Sequence, residues 1–200
     1  MPKSSLLESR RHWIFDMDGT LTVSAHDFEH IRNELGLEPS VPILEALNAM
    51  PEAEAAPLWQ QLNELEFYYA GKSSVMDGAP ELLQRLRDKG CQLAILTRNT
   101  MPVVRQTLDA CRLAHFFPVD HILDRDACIP KPSPDGIRQL LEFWQAQAGD
   151  TVMVGDYRYD LEAGKGAGVA TVHVDSRGAG YWPEYTDILV SDLGEIIDYL

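Results

Sequence analysis

Cysteine is scarce in this chain. Cys91, Cys111 and Cys128 are the only three in 200 residues, an odd and scattered set with no C-x-x-C pair. That argues against a disulfide framework or a structural zinc site and predicts a reduced, cytoplasmic protein. Long apolar runs are missing too. Nothing approaches the ~20 residues of a transmembrane span, and Met1 to His12 lacks the apolar core of a signal peptide. Positive charge is short: 17 Lys and Arg stand against 31 Asp and Glu, for a formal charge of -14. Nucleic acid and anionic membrane are therefore poor partners, since both want basic patches. An anionic ligand would need a site that brings its own local cations. No internal repeat or low-complexity segment occurs.

What is present supports one sizeable core. Hydrophobic residues make up 45% of the chain, and the length suits one domain, or one domain with an insertion. The organising stretch runs from Trp13 to Leu21. Trp13-Ile14-Phe15 reads as a buried parallel strand. Asp16 then falls at its carboxyl end, where open α/β sheets hold ligands. Asp18 follows in the turn, and Gly19 lets the backbone bend back. Two carboxylates on one turn repel unless a cation lies between them, and Mg²⁺ suits such oxygen ligands. Taken alone, the same residues also fit a plain strand end with an Asp-Gly turn.

Residues Met1 to Arg11 read as a loose lead-in. After Leu21 the spacing turns helical. Phe28, Ile31 and Leu35 share a face, and Gly36 ends that helix. Ser40 is placed to cap a second helix with Pro42 in its first turn and Ile43, Leu44 and Leu47 inward. Pro51 and Pro57 punctuate. Leu58, Leu62, Leu65 and Tyr69 form a third stripe, ended near Gly71. Residues 23–75 thus read as a small all-helical insertion without strands. From Met76 strands and helices alternate: strands at Cys91–Leu96, Val119–Leu123, Thr151–Val154, Ala170–Val174 and Ile188–Val190, helices between them, and a closing helix at Leu193–Leu200. That pattern predicts a doubly wound, Rossmann-like parallel sheet formed by 1–22 and 76–200, with the helical insertion after the first strand.

Every candidate polar residue follows a predicted strand. Asp16 and Asp18 follow the first. Thr97, Arg98 and Asn99 follow the second, and Lys131 in Pro130-Lys131-Pro132-Ser133-Pro134 comes after the third. Asp156 and Asp160, in Gly155-Asp156-Tyr157-Arg158-Tyr159-Asp160, follow the fourth. A doubly wound sheet brings all four loops to one edge. The set matches the needs of phosphoryl transfer, which are positioning and charge neutralisation. Asp16 is the expected nucleophile and Asp18 the acid/base. Thr97 is the expected holder of a phosphoryl oxygen near a helix mouth, with Arg98 as a further substrate contact. Lys131 supplies a point charge to the phosphoryl group and to Asp16. Asp156 completes a Mg²⁺ site with Asp16 and the Asp18 backbone carbonyl, and Asp160 orients metal-bound water.

These segments in this order resemble the haloacid dehalogenase superfamily, in its phosphatase members: D-x-D-G-T at 16–20, Thr97, Lys131 and G-D-x-x-x-D at 155–160. The resemblance implies a Rossmann-like core, an aspartyl-phosphate intermediate, Mg²⁺ dependence and a small phosphorylated metabolite as substrate. The insertion resembles the helical cap of the phosphoglycolate phosphatase-like subgroup, here short, with three helices. Dehalogenases and phosphonate hydrolases of the superfamily lack the second aspartate of the first motif, so Asp18 points away from both. A phosphomutase shares every core residue named. A phosphoacceptor signalling module also sets an Asp, a Thr and a Lys on a parallel sheet, but its acceptor follows a middle strand. A non-catalytic interaction protein on this scaffold conflicts with the intact set of polar residues. His26 and His30 stand i, i+4, which fits a metal pair, but the preferred reading is two polar-face histidines. Tyr68, Tyr69 and Lys72 are read as packing and solvation rather than substrate contact, and Tyr181, Trp182 and Tyr185 as packing a late loop.

Overall fold

The computed structural model describes residues 6–23, 25–176, 178 and 180–200. Six parallel strands form the central sheet: β1 (His12–Phe15), β4 (Gln92–Leu96), β5 (Ile122–Leu123), β6 (Thr151–Gly155), β7 (Ala170–Val174) and β8 (Ile188–Val190), in the order β5-β4-β1-β6-β7-β8. The chain winds outward from β1 first to one side and then to the other. The reversal point therefore lies beside β1, where a crevice opens at the carboxyl ends of the strands.

β1 alternates as a strand buried on both faces must. Trp13 and Phe15 enter one core cluster and Ile14 the other. The first cluster joins the sheet to α4 (Ala79–Asp88) and α5 (Met101–Ala110), and the second to α6 (Asp135–Trp144) and α7 (Arg158–Ala167). Trp13 and Phe15 are fully buried, a contribution of about 1.5–3 kcal/mol for a side chain such as Phe15. Parallel register pairs Phe15 with Ile95 on one side and with Val154 on the other. Asp16, Thr97 and Asp156 thus leave the sheet at nearly the same level.

A helical block leaves and rejoins the sheet through a two-stranded antiparallel ribbon, β2 (Thr22–Val23) with β3 (Ser74–Val75). It holds α1 (Phe28–Glu34), α2 (Ile43–Asn48) and α3 (Glu52–Ala70) around a small core of Ile31, Leu35, Leu47 and Leu62.

Several expectations change. The ribbon supplies strands where none was read; two residues per strand leave no period to detect. Phe28 is exposed rather than inward, stacked on His26. Ser40 does not cap α2: it takes φ 65°, and Pro42 is the N-cap. Pro57 lies inside α3 rather than between helices. Its missing N–H would have met the Ala53 carbonyl, which lies on an exposed turn where water can take its place. The 119–123 strand shrinks to Ile122–Leu123, and the closing helix is a 3₁₀ helix, Gly194–Tyr199. The described part of the lead-in is docked: Leu7 is buried in the main core, and the Arg10 guanidinium donates to the Leu6 carbonyl at 3.0 Å. Met1 to Ser5 lie outside the described residues. Trp182 packs on His173 and Tyr157, with ring centroids 5.2 and 5.5 Å apart, whereas Tyr181 is exposed.

Candidate active site

The turn after β1 is wound tightly on itself. Leu21 and Thr22 N–H both donate to the Met17 carbonyl at 3.0 Å, and Gly19 N–H donates to the Thr22 carbonyl at 2.8 Å. Gly19 has φ +90°, and a Cβ there would lie 2.2 Å from Asp156 Oδ2. Only glycine lets the first turn approach the loop after β6 this closely. Gly155 plays the same part: its Cβ would lie 2.2 Å from Asp160 Cβ. Two glycines therefore allow three carboxylates to crowd together. Carboxylate oxygens of Asp16, Asp156 and Asp160 all lie within 4.8 Å of one another. Among the described residues this is the group that could hold a metal ion.

Lys131 enters the same pocket between Pro130 and Pro132. Its side chain is 3% exposed, and Nζ lies 2.5 Å from Asp16 Oδ1 and 2.6 Å from Asp160 Oδ1. Burial pushes the Asp16 carboxyl well above the usual carboxylate range; Lys131 opposes that, while Asp160 and Asp156 reinforce it. Burial pulls the Lys131 ammonium down, but Asp16 and Asp160 outweigh it and leave its pKa raised. Three carboxylates against one ammonium leave about two negative charges uncompensated. That is the deficit a divalent cation fills, and hard oxygen ligands suit Mg²⁺.

Asp160 does more than was expected of it. Its Oδ2 accepts from Tyr157 N–H at 3.0 Å, closing the first turn of α7, while Oδ1 holds Lys131. The geometry makes it an orienter of Lys131. Asp18 lies apart from the three-carboxylate group. Its Oδ2 accepts a hydrogen bond from the Asn99 amide, and Oδ1 lies 3.7 Å from His26 Nδ1. The His26 side chain is 1% exposed, so the polar-face reading fails for it. It is packed between Asp18, Phe28 and Tyr69. His30 is exposed, its ring set edge-on to that of Tyr69 with centroids 6.4 Å apart.

Thr97 is buried, and its hydroxyl oxygen accepts from Asn99 N–H at 3.2 Å. It shapes the turn before α5 rather than capping the helix, whose N-cap is Thr100. Arg98 reaches across to the helical block and pairs with Glu45 of α2 at 2.5 Å. Lys72 donates to the Tyr68 hydroxyl at the end of α3 and lies outside the cleft. Between block and sheet lies a cavity of about 620 Å³, lined among others by Trp59, Asn63, Arg98, Arg125 and Lys131.

Arg125, Trp59, Asn63 and Glu66 were not singled out in the sequence. Arg125 lies two residues past β5, in Asp124-Arg125-Asp126, so the strand-end rule that found Thr97 and Arg98 applied to it as well. Asp124 ties that loop down: its carboxylate accepts from Met101 N–H at 2.9 Å and from Ala127 N–H at 3.0 Å. The other three sit mid-helix in α3, where sequence shows a stripe but not what it faces.

Comparison with known proteins gives the family and the fold. The sequence model for haloacid dehalogenase-like hydrolases matches residues 11–168. The chain belongs to that family. An uncharacterized hydrolase of Saccharomyces cerevisiae is 28% identical over 94% of this chain and 89% of its own. A phosphoglycolate phosphatase of Aquifex aeolicus is 27% identical over 92% of this chain and 95% of its own. Among solved structures, a hydrolase from Pseudomonas syringae superimposes with a TM-score of 0.78 at 19% identity, covering 95% of this chain and 97% of that one. The Rossmann-like sheet with flanking helices is thus the fold of the family. No helix of the described residues is long and apolar enough to cross a membrane.

Proposed function

We propose that this chain is a Mg²⁺-dependent phosphatase that hydrolyses a small phosphorylated metabolite through an aspartyl-phosphate on Asp16. The observation that carries the reading is the pocket where Asp16, Asp156 and Asp160 crowd together and Lys131 pairs with Asp16 and Asp160. Asp16 and Asp156, with the Asp18 backbone carbonyl, would hold the cation, which supplies charge neutralisation for the transferring phosphoryl group. The Asp16 carboxylate attacks phosphorus, and the phosphorus–oxygen bond to the leaving group breaks. Asp18 gives its proton to the leaving oxygen. It then takes one from water, which displaces phosphate from Asp16 and restores the carboxylate. Asn99 and His26 hold Asp18 for both steps. Lys131, oriented by Asp160, balances charge on Asp16 and on the phosphoryl oxygens, and the Thr97 hydroxyl holds one of those oxygens.

The helical block acts as a cap over this pocket, with 1–22 and 76–200 as the core and 23–75 as the cap. It excludes bulk water and selects substrate. The similarity to a phosphoglycolate phosphatase supports the reaction class and a compact substrate. The test is Asp16→Asn assayed with p-nitrophenyl phosphate, acetyl phosphate and a panel of phosphorylated metabolites. Wild type with Mg²⁺ is expected to release phosphate steadily. The variant is expected to keep its fold by circular dichroism and lose turnover. Appreciable steady-state turnover by the variant would remove Asp16 from its role, and transfer to substrate instead of water would make the enzyme a mutase.

A further inference from the structure

The cleft carries more positive charge than the phosphoryl step uses. In a chain with 17 Lys and Arg against 31 Asp and Glu, Arg98, Arg125 and Lys131 face one cavity. Lys131 is taken by Asp16 and Asp160. Arg98 is paired with Glu45 and stays partly exposed. Arg98 Nε is, like Arg125 Nη1, buried with no hydrogen-bond partner among the described residues, but of the two arginines Arg125 has the more deeply buried side chain. Its side chain is 9% exposed, its guanidinium lies 5.2 Å over the Trp59 ring, and Nη2 donates to Asn63 Oδ1 at 2.8 Å. Nη1 is buried and meets no hydrogen-bond acceptor among the described residues. Glu66 Oε2, 3.5 Å from Nη1, is likewise buried with no hydrogen bond among the described residues.

A buried guanidinium N–H left without an acceptor is costly, so it marks a place where a ligand oxygen is gained cheaply. The Arg125 backbone is fixed as well, its N–H donating to the Asn99 carbonyl at 2.8 Å. Burial raises Glu66 to about 7 against the pull of Arg125, so near neutral pH it offsets only part of the guanidinium charge. Lys131 lines the same cavity, which lets one ligand span from the nucleophile to Arg125.

We infer that Arg125 is the specificity-determining residue of this cleft and that the substrate carries, besides the phosphoryl group, a second anionic group, carboxylate or phosphoryl, that docks on it. The inference rests on the phosphatase reading above. An arginine fork, walled by Trp59, suits such planar or tetrahedral oxyanions.

The test uses esters sharing a three-carbon skeleton: propyl phosphate, 3-phosphonooxypropanoate, propane-1,3-diol bisphosphate and, as a cationic control, 3-aminopropyl phosphate. For wild type with Mg²⁺, kcat/KM of one anionic ester is expected to exceed that of propyl phosphate by about tenfold or more, mostly through KM. Whichever anion wins names the distal group. Arg125→Gln should collapse this ratio, and Arg125→Lys should keep part of it. A merely structural Arg125 would slow all esters in parallel and leave the ratio intact, which overturns the assignment. So does a ratio that survives Arg125→Gln but falls in Arg98→Gln. Hydrolysis of propyl phosphate without any preference for an anionic tail sinks this inference and leaves the phosphatase standing. Hydrolysis of none of the esters removes both.

Discussion

Lys131→Met removes the ammonium that pairs with the buried carboxylates of Asp16 and Asp160, beside the half-buried Asp156. The side chain it replaces is almost wholly buried, and Nζ makes contacts of 2.5 and 2.6 Å. Deleting one partner of a buried ion pair costs about 3–5 kcal/mol, because the remaining charge stays buried without compensation. For a chain of this size each kcal/mol moves Tm by roughly 2–4 °C, so the variant is expected to melt ~6–20 °C lower in EDTA. The loss should depend on pH in one direction. The folded-state pKa of Asp16 is already raised above its ordinary 3.8, with Lys131 opposing the rise. Without the ammonium it rises further. The folded state then binds that proton more tightly than the unfolded state, so stability recovers as pH falls through the raised value toward 3.8 and is lost again as pH climbs. The deficit against wild type should therefore shrink from pH 8 to pH 5. Mg²⁺ should stabilise the variant more than it stabilises wild type. Scanning calorimetry across that pH range, with EDTA or Mg²⁺, reads all three effects. A variant that melts with wild type in EDTA, or a deficit that grows on acidification, would refute the charge argument. Turnover should fall by at least about a hundredfold as well.

Glu66 offers a second pH test. Its carboxyl moves from an ordinary 4.5 to about 7 on folding, so wild-type stability should drop by about 3 kcal/mol as pH rises from 4.5 through 7. Glu66→Gln should flatten that slope in urea melts and be the more stable protein at pH 8; an unchanged slope would place the titration elsewhere. Gly19→Ala puts a Cβ at φ +90° and 2.2 Å from Asp156 Oδ2. It should cost about 1–3 kcal/mol and weaken Mg²⁺ binding about tenfold by calorimetric titration. Asn99→Ala frees Asp18 from its amide donor and should lower kcat by about a hundredfold with KM little changed; a matching rise in KM would instead make Asn99 a substrate contact.

The sheet was legible because its strands are short, apolar and each followed by a polar loop. Trp13 to Asp16 shows this best: a strand apolar on both faces reads as an unbroken hydrophobic run, and its end is marked by the first charged residue. The meeting of Asp16 and Asp156 followed from parallel register; Lys131, well past the end of β5, reaches them through its own loop. Other features depend on contacts far apart in sequence. Nothing near His26 announces that its ring packs beside Asp18, and nothing in the α3 stripe says that Glu66 faces Arg125. The ribbon at 22–23 and 74–75 was invisible for a different reason: each strand is too short for any period. Asp160 was expected at the metal site and does lie beside Asp16 and Asp156; its pairing with Lys131 went unread, because a helix-start aspartate and a lysine between two prolines share no local pattern.

The Thr22–Val23 and Ser74–Val75 ribbon has a consequence for what this scaffold can become. Entry and exit of fifty intervening residues stand side by side, so that whole stretch can lengthen, shrink or be exchanged while the strands beneath keep their places. Selectivity and chemistry are then free to diverge separately, one written in the detachable module and the other in the loops it shelters.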